Sequence, residues 1–191
     1  MQWKEFLGLL LSVAPNLAEG LRPPPPPQAV ERLEAELSQP LPESVRRLLV
    51  QHDGQQVGGR LLFGLVLMRL DAIFKYMQQH QPSPVELPDE SSDPRLQERP
   101  SDQRFLPLFT DDTGNYLGVD LNPPPDGTPF QVVVFGADVD DPRVVAPDLD
   151  TLFSELAGEI RRGNFEVREE DGFPVMRLRQ SSGTALADLL P

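Results

Sequence analysis

Cysteine is absent from the 191 residues, which excludes disulfides, thiolate metal sites and cysteine nucleophiles. Long apolar runs are absent as well, because no stretch approaches the ~20 apolar residues of a membrane-spanning helix. Residues 6–14 could pass for the apolar part of a signal peptide, but Glu5 interrupts the basic flank. The apolar residues around this segment also recur at helical spacing. We therefore predict an amphipathic N-terminal helix and a cytoplasmic protein.

Positive charge is scarce, and the formal net charge is −13. Residues 111–155 contain ten acidic residues and one basic residue, Arg143. An acidic surface repels phosphate backbones and anionic lipid, so we expect no binding to nucleic acid or to membranes. Such a surface attracts basic protein partners. The same composition also fits a solvated surface that keeps the protein in solution.

Catalytic motifs are missing too. The chain has no nucleophile elbow of the G-x-S-x-G type, no phosphate-binding glycine loop and no H-E-x-x-H pair. Only two histidines are present. His52 precedes Asp53 and Gly54 and is expected to cap a helix, and His80 is expected at an exposed helix end. We therefore predict a protein without catalytic residues and without a cofactor.

Proline, in contrast, is abundant, with 22 residues clustered at 23–27, 82–100 and 123–129. The clusters lie between the apolar segments and predict linkers and loops. We divide the chain into an N-terminal helix with a proline-rich linker (1–27), one domain (28–178) and a flexible tail (179–191). Within the domain, residues 81–104 lack apolar periodicity and predict a long loop, which is either functional or disordered.

Apolar periodicity predicts an alternation of helices and strands in the domain. The expected helices cover residues 28–38, 42–54, 70–81 and 148–163, the last with Asp148 as its cap and Gly163 as its stop. The expected strands cover residues 60–69, 105–110, 116–121, 130–136 and 143–146, followed by a hairpin with Asp171 and Gly172 in its turn. This order predicts an α+β fold with a mainly antiparallel sheet.

The stretch "FLPLFTDDTGNYLGVDL" (105–121) brings several oxygen ligands together in the sequence. Asp111, Asp112, Asn115 and Asp120 could bind a hard cation and support a metal-assisted hydrolase. Their spacing does not match a calcium-binding EF-hand loop from either Asp111 or Asp112. A β-hairpin turn explains the same residues, because Asp and Asn favour turns and Gly114 allows a positive φ. We predict the hairpin and keep the metal-assisted hydrolase as an alternative.

Three ordered blocks resemble the SUKH superfamily, which includes the Smi/Knr fungal cell-wall regulators and many bacterial toxin-immunity proteins. The blocks are "LPESVRRLLVQHDGQ", "FLPLFTDDTGNYLGVDLNPPPDGTPFQVVVFG" and "VAPDLDTLFSELAGEI". The resemblance covers residues 28–163 and implies an α+β domain with a strongly bent sheet. One position departs from the family pattern, because Phe130 stands before Gln131 where the family commonly has glycine.

The resemblance implies protein binding without catalysis. In its immunity form the partner is a basic toxin domain, often a nuclease, and in its regulatory form the chain is a Smi/Knr-type scaffold. We predict the immunity form and keep the regulatory form as an alternative. The candidate partner-binding residues belong to the acidic block and to one side of the central strands, where they could equally face solvent or a covering helix. They are Asp111, Asp112, Tyr116, Asp120, Gln131, Asp138, Asp140 and Asp141.

Overall fold

A computed structural model describes residues 1–56, 59–80, 91–96, 105–139 and 141–179. Its α-helices are α1 (Trp3–Val13), α2 (Gln28–Leu37), α3 (Glu43–Leu49), α4 (Leu70–Gln79) and α5 (Leu149–Arg161). Its strands are β1 (Val66–Leu67), β2 (Phe105–Thr110), β3 (Asn115–Asp120), β4 (Val132–Gly136), β5 (Arg143–Ala146), β6 (Phe165–Glu170) and β7 (Phe173–Leu178). None of the helices in the described ranges is long and apolar enough to cross a membrane.

The strands form two antiparallel sheets. Strands β1 to β5 follow one another in sequence order across a five-stranded sheet, and β6 pairs with β7 as a separate hairpin. The predicted α+β class with a mainly antiparallel sheet is confirmed. Register shifts occur between β2 and β3 and between β4 and β5. Such irregularities bend the strand that carries them and increase its twist.

Two predicted elements are shorter than expected. The helix predicted as far as Gly54 ends at Leu49, and a turn leads on to Gly54, whose φ is +80°. The strand predicted over residues 60–69 is reduced to β1. Phe63 and Gly64 have φ values of +50° and +94° and turn the chain back on itself. An apolar run can be buried in a turn as well as in a strand, so periodicity alone could not separate the two.

Strand β4 lies in the interior of the sheet, between β3 and β5, as its sequence predicts. Val132 and Val134 belong to the main core, whereas Val133 and Phe135 belong to a smaller cluster on the other side of the sheet. Alternate residues of a strand point to opposite faces, so both faces of β4 are covered. Within the predicted loop 81–104 the structure describes residues 91–96. There Pro94–Leu96 form one turn of 3-10 helix, and Leu96 is buried in the smaller cluster.

Helix α1 belongs to the same core as the rest of the chain. Its Trp3 and Phe6 are buried, and their rings lie 5.3 and 5.1 Å from the ring of Phe153 in α5. Burial of each such side chain contributes roughly 1.5–3 kcal/mol. The division drawn at residue 27 therefore marks a change in composition and not in packing. The predicted tail, apart from Arg179, lies outside the described residues.

Candidate functional site

The turn between β2 and β3 is built around the Asp111 carboxylate. It accepts hydrogen bonds from the backbone N–H of Thr113 at 2.8 Å, from the backbone N–H of Asn115 at 3.1 Å and from Asn115 Nδ2 at 2.7 Å. Asp112 and Gly114 supply the positive φ values of +69° and +114° that the bend requires. The predicted hairpin is confirmed, and Asp111 acts as its turn former.

The same contacts set the acidity of Asp111. Burial by itself would raise the pKa of this carboxyl group. Hydrogen bonds from Asn115 and Thr113 favour the charged form and outweigh burial, so the pKa of Asp111 lies below its ordinary value. Asp111 is therefore ionised at neutral pH. Its charge is half-buried, whereas the neighbouring Asp112 is fully at the surface.

Asn115 joins this turn to the loop between β4 and β5. Its Nδ2 donates to Asp138 Oδ2 at 3.2 Å, and its Oδ1 accepts from the backbone N–H of Asp138 at 3.0 Å. Asn115 is buried, whereas Asp138 is exposed. Further along the same loop, Asp141 accepts hydrogen bonds from the backbone and the hydroxyl group of Ser92, and these bonds lower the pKa of its carboxyl group.

Both loops lie at one end of the sheet, because Asn115 of β3 pairs with Gly136 of β4. We call this end, with its four carboxylates, the acidic end. Asp140, a further candidate from the loop between β4 and β5, lies outside the described residues. The members of the acidic end are Asp111, Asp112, Asp138 and Asp141.

A row of rings begins beside the acidic end and crosses one face of the sheet. Tyr116 lies 5.4 Å from Phe135 and 4.9 Å from Tyr76, and Tyr76 stacks on His80 at 4.1 Å. Phe105 continues the row, 4.8 Å from Phe135. We call these five residues the aromatic row. Tyr116 is half-buried, so the row combines exposed ring surface with packing against the sheet.

The tyrosine hydroxyl groups in the row stay protonated at neutral pH. Burial, followed by the charges of Asp111 and Asp112, raises the pKa of Tyr116. Burial, followed by the contact with Tyr116, raises the pKa of Tyr76 to about 12. A protonated hydroxyl group can donate a hydrogen bond as well as accept one. The row therefore offers ring surface and neutral donors next to four carboxylates.

Two predicted site residues, Asp120 and Gln131, lie elsewhere. Both are buried, at the end of the sheet opposite the acidic end. Gln131 Nε2 donates to Asp120 Oδ2 at 3.2 Å and to the backbone oxygen of Arg95 at 3.1 Å, and Asp120 Oδ1 accepts from the backbone N–H of Asn122. They fix the loop that connects β3 to β4. The prediction that they share a surface with Tyr116 is corrected, because a partner cannot reach them in this structure.

The loop between β3 and β4 ends at Phe130, which has a φ of +65°. Its backbone N–H donates to the backbone oxygen of Asp120 at 2.9 Å, which closes the loop. Glycine adopts this left-handed conformation without the penalty that a side chain imposes. Residue 130, where the SUKH superfamily commonly has glycine, therefore has a backbone conformation that favours glycine. In this chain it is a half-buried phenylalanine.

The alternative metal site is not assembled. Asp111 lies beside the Asn115 end of β3 and Asp120 lies at its other end, roughly 17 Å away by the rise of a strand. One ion cannot be bound by both. Among the described residues, no group of three or more His, Asp or Glu side chains could hold a metal ion.

One feature has no counterpart among the sequence predictions. Arg22, Arg60 and Arg69 line a single cleft of about 430 Å³ beside β1. Each comes from a different segment of the chain, and none belongs to a basic run or a recognised motif. Only the folded arrangement brings them together, so no local signal could have found the cleft.

The chain resembles known proteins along most of its length. A family model described as the SMI1 / KNR4 family (SUKH-1) matches residues 24–155. A KNR4/SMI1 homolog of Kluyveromyces lactis is 28% identical in an alignment covering 96% of this chain and 49% of that protein. The cell wall assembly regulator SMI1 of Saccharomyces cerevisiae is 32% identical over 51% of this chain and 21% of that protein.

A third relative, the cell wall biosynthesis/cell cycle regulator smi1 of Schizosaccharomyces pombe, is 28% identical over 74% of this chain. The chain spans about half or less of the length of these relatives. The relatives of S. cerevisiae and S. pombe are named as cell-wall regulators, and none of the three names refers to a toxin or to an enzyme. The relatives therefore favour the regulatory alternative over the immunity role that the sequence analysis predicts.

Proposed function

Because the chain belongs to the SMI1/KNR4 family, we propose that it is a non-catalytic protein-binding module of a cell-wall regulator. The module binds a basic segment of a protein partner at the acidic end and on the adjoining aromatic row. The observation that carries this proposal is the placement of four carboxylates at one end of the sheet beside half-buried rings.

Charge supports the choice of partner. Asp112 and Asp138 are exposed and lie on two loops that Asn115 holds together, so their spacing is fixed before a partner arrives. Preorganised groups lose less conformational freedom on binding. Carboxylates at a rim mainly accelerate association with a positively charged partner, and they do so less at high salt. An arginine or lysine of the partner can also lie on the faces of Tyr116 and Tyr76.

The immunity role would use the same surface, with a basic toxin domain as the partner. The relatives' names lend it no support. The two roles differ only in the identity of the bound protein. Capturing that protein therefore decides between them.

A site-specific crosslinker can capture the partner. Benzoylphenylalanine placed at Ala137, an exposed position in the acidic end's second loop, is expected to trap the partner after illumination of a cell extract. The same group placed at Ala35, an exposed position on α2, is the matched control and is expected to trap none of it. Mass spectrometry then identifies the protein, and the purified pair is used for binding measurements.

The electrostatic part of the proposal is tested with that pair. The double variant D112N/D138N removes two exposed charges and is expected to slow association about tenfold at low salt, with the difference shrinking at high salt. The control variant E36Q/E155Q removes two exposed charges from α2 and α5 and is expected to bind almost as fast as the wild type. Equal association rates for both variants across the salt series would refute a docking role for the acidic end.

A further inference from the structure

The arginine cleft concentrates positive charge in a strongly negative protein. Arg22 follows the first 3-10 turn, Arg60 precedes the turn that leads to β1, and Arg69 lies directly before α4. Phe173 of β7 forms part of the wall, and Asp112 stands at the border with the acidic end. Three guanidinium groups thus meet one carboxylate in the lining, whereas the chain as a whole carries −13.

Arg60 is held in place without an acidic partner among the described residues. Its Nη1 donates to the backbone oxygen of Gly64 at 2.7 Å and more weakly to that of Asp111 at 3.4 Å. Its guanidinium carbon lies 5.2 Å from the centroid of the Phe173 ring. A guanidinium group has five N–H donors. These contacts fix the orientation of the Arg60 guanidinium group through one of its edges. Its other N–H groups remain available as donors to a ligand.

The other two arginines have acidic neighbours that occupy little of their binding capacity. Arg22 Nε lies 3.8 Å from Asp53 Oδ2, and this buried nitrogen has no hydrogen-bond partner in the described part of the chain. Arg69 pairs with Asp71 at 2.8 Å, but both side chains are largely exposed. Exposed ion pairs of this kind contribute little and open readily. Asp53 and Asp71 therefore position the two arginines, and N–H donors of both guanidinium groups remain available to a ligand.

We propose that this arginine cleft binds a phosphate monoester. A carboxylate has two oxygens, and the paired N–H donors of one arginine can bind both. A phosphate monoester has three terminal oxygens and can accept hydrogen bonds from several arginines at once. Clusters of arginine are a recurring means of recognising phosphorylated groups. The cleft is within the size range of ligand sites, about 300–1,000 Å³, and is larger than an anion alone requires. The organic part of the ester lies against Phe173.

Two sources of this chemistry are tested in parallel by titration of the full chain. One probe is a peptide with a central phosphoserine, and the other is adenosine 5′-monophosphate. The unphosphorylated peptide, adenosine and citrate are the matched controls. We expect measurable binding of at least one phosphorylated probe and at least tenfold weaker binding of the controls. The tighter phosphorylated probe identifies the source. Citrate binding as tightly as the phosphorylated probes would overturn the proposal, as would the absence of binding at millimolar concentration.

Arginine variants assign the binding to the cleft. R69Q changes an exposed side chain and is expected to weaken binding about fivefold to tenfold, and R60Q about tenfold or more. R60K restores only part of the affinity, since an ammonium group lacks the planar fork. R161Q removes an exposed charge at the end of α5 and is the control, with unchanged affinity expected. Equal losses for R69Q and R161Q would contradict the assignment.

Asp112 separates this inference from the proposed function. Removing its carboxylate in D112N weakens a basic partner at the acidic end but takes away repulsion beside the arginine cleft. We expect D112N to tighten binding of the phosphorylated probe about twofold to threefold. If D112N binds the phosphorylated probe more weakly, the phosphate site in the arginine cleft is contradicted and the acidic end is unaffected. If D112N binds the protein partner more weakly but binds the probe as the wild type does, only the docking role of the acidic end is supported.

Discussion

The two ends of the five-stranded sheet carry similar residues in opposite environments. At the acidic end, Asp112 and Asp138 are exposed and face solvent. At the other end, Asp120 is fully buried and is bonded to the buried Gln131. The acidic residues lie close together in the sequence and look interchangeable in composition. The end of the sheet at which each acid lies decides whether its carboxylate presents charge to a partner or closes a loop.

Not every carboxylate of the acidic block lies at the surface or is free of a structural role. Asp111 forms a turn, Asp120 anchors a loop and Asp148 caps α5 by accepting from the Thr151 N–H at 2.7 Å. Each of these carboxylates has backbone donors to satisfy. Asp112 and Asp138 instead present exposed side chains, so fewer carboxylates can contact a partner directly than the count in the sequence suggests.

The largest expected effect on stability tests whether the acidic end tolerates substitution as readily as its exposed side chains suggest. Gly136 has a φ of +147°, and an added Cβ would lie 2.4 Å from the backbone oxygen of Gly114. Gly136→Ala is expected to cost about 3 kcal/mol or more in unfolding free energy through strain and overlap. Urea unfolding followed by circular dichroism measures it. A cost below about 1 kcal/mol would mean that the two loops are not rigidly joined.

The second prediction contrasts the buried and exposed carboxylates directly. Asp120→Ala is expected to lower the free energy of unfolding by about 2–3 kcal/mol, because it removes the acceptor of the Gln131 amide and of the Asn122 N–H inside the protein. Asp138→Ala is the matched change at the exposed end and is expected to stay within about 0.5 kcal/mol. Similar costs for the two variants would remove the distinction between the ends of the sheet.

The third prediction is an increase in the free energy of unfolding, whereas the first two are decreases. Asp112 is exposed and has a φ of +69°, so Asp112→Gly is expected to stabilise the fold by about 0.5 kcal/mol. Gly114→Ala is the reverse change two residues on, where space is available but φ is +114°, and it is expected to destabilise. Thermal unfolding of both variants measures the difference. A lower melting temperature for Asp112→Gly would show that the Asp112 side chain contributes to the turn.

The smallest expected effect concerns pH. The folded pKa of Asp111 lies below its ordinary value of 3.8, so the folded state binds fewer protons than the unfolded state near that pH. The stabilisation is fully present above about pH 5 and is lost as the pH falls through the folded pKa. Asp111→Asn is therefore expected to make the acid limb of the stability curve shallower. Unfolding free energies measured from pH 2 to pH 6 test this, and an unchanged slope would contradict it.

Local chemistry accounts for what the sequence predicts well. Helix α5 has its cap at Asp148, its apolar stripe and its stop at Gly163, and all three signals lie within one segment. The β6–β7 turn at Asp171 and Gly172 and the Asp111 turn are likewise set by residues that bond or bend their own backbone. In these elements the tertiary environment agrees with the local preference.

The parts that the sequence could not predict depend on distant contacts. The burial of Asp120 requires the loop between β3 and β4 to fold back so that Gln131 reaches it. The mainly apolar residues 61–65 form a turn because Phe63 and Gly64 reverse the chain, a choice that periodicity does not encode. The arginine cleft needs three segments to meet. Each case is decided by packing between elements and not by a local pattern.

The single tryptophan gives the molecule its own optical probe. The Trp3 ring is 1% exposed and lies within 6.4 Å of the ring centroids of His52, Phe109 and Phe153. These neighbours lie in the turn after α3, in β2 and in α5, so one indole in α1 senses three other parts of the fold together. Its emission is expected to shift to longer wavelength when water reaches the ring. Fluorescence from this one residue thus reports whether α1 is packed against the core, without any added label.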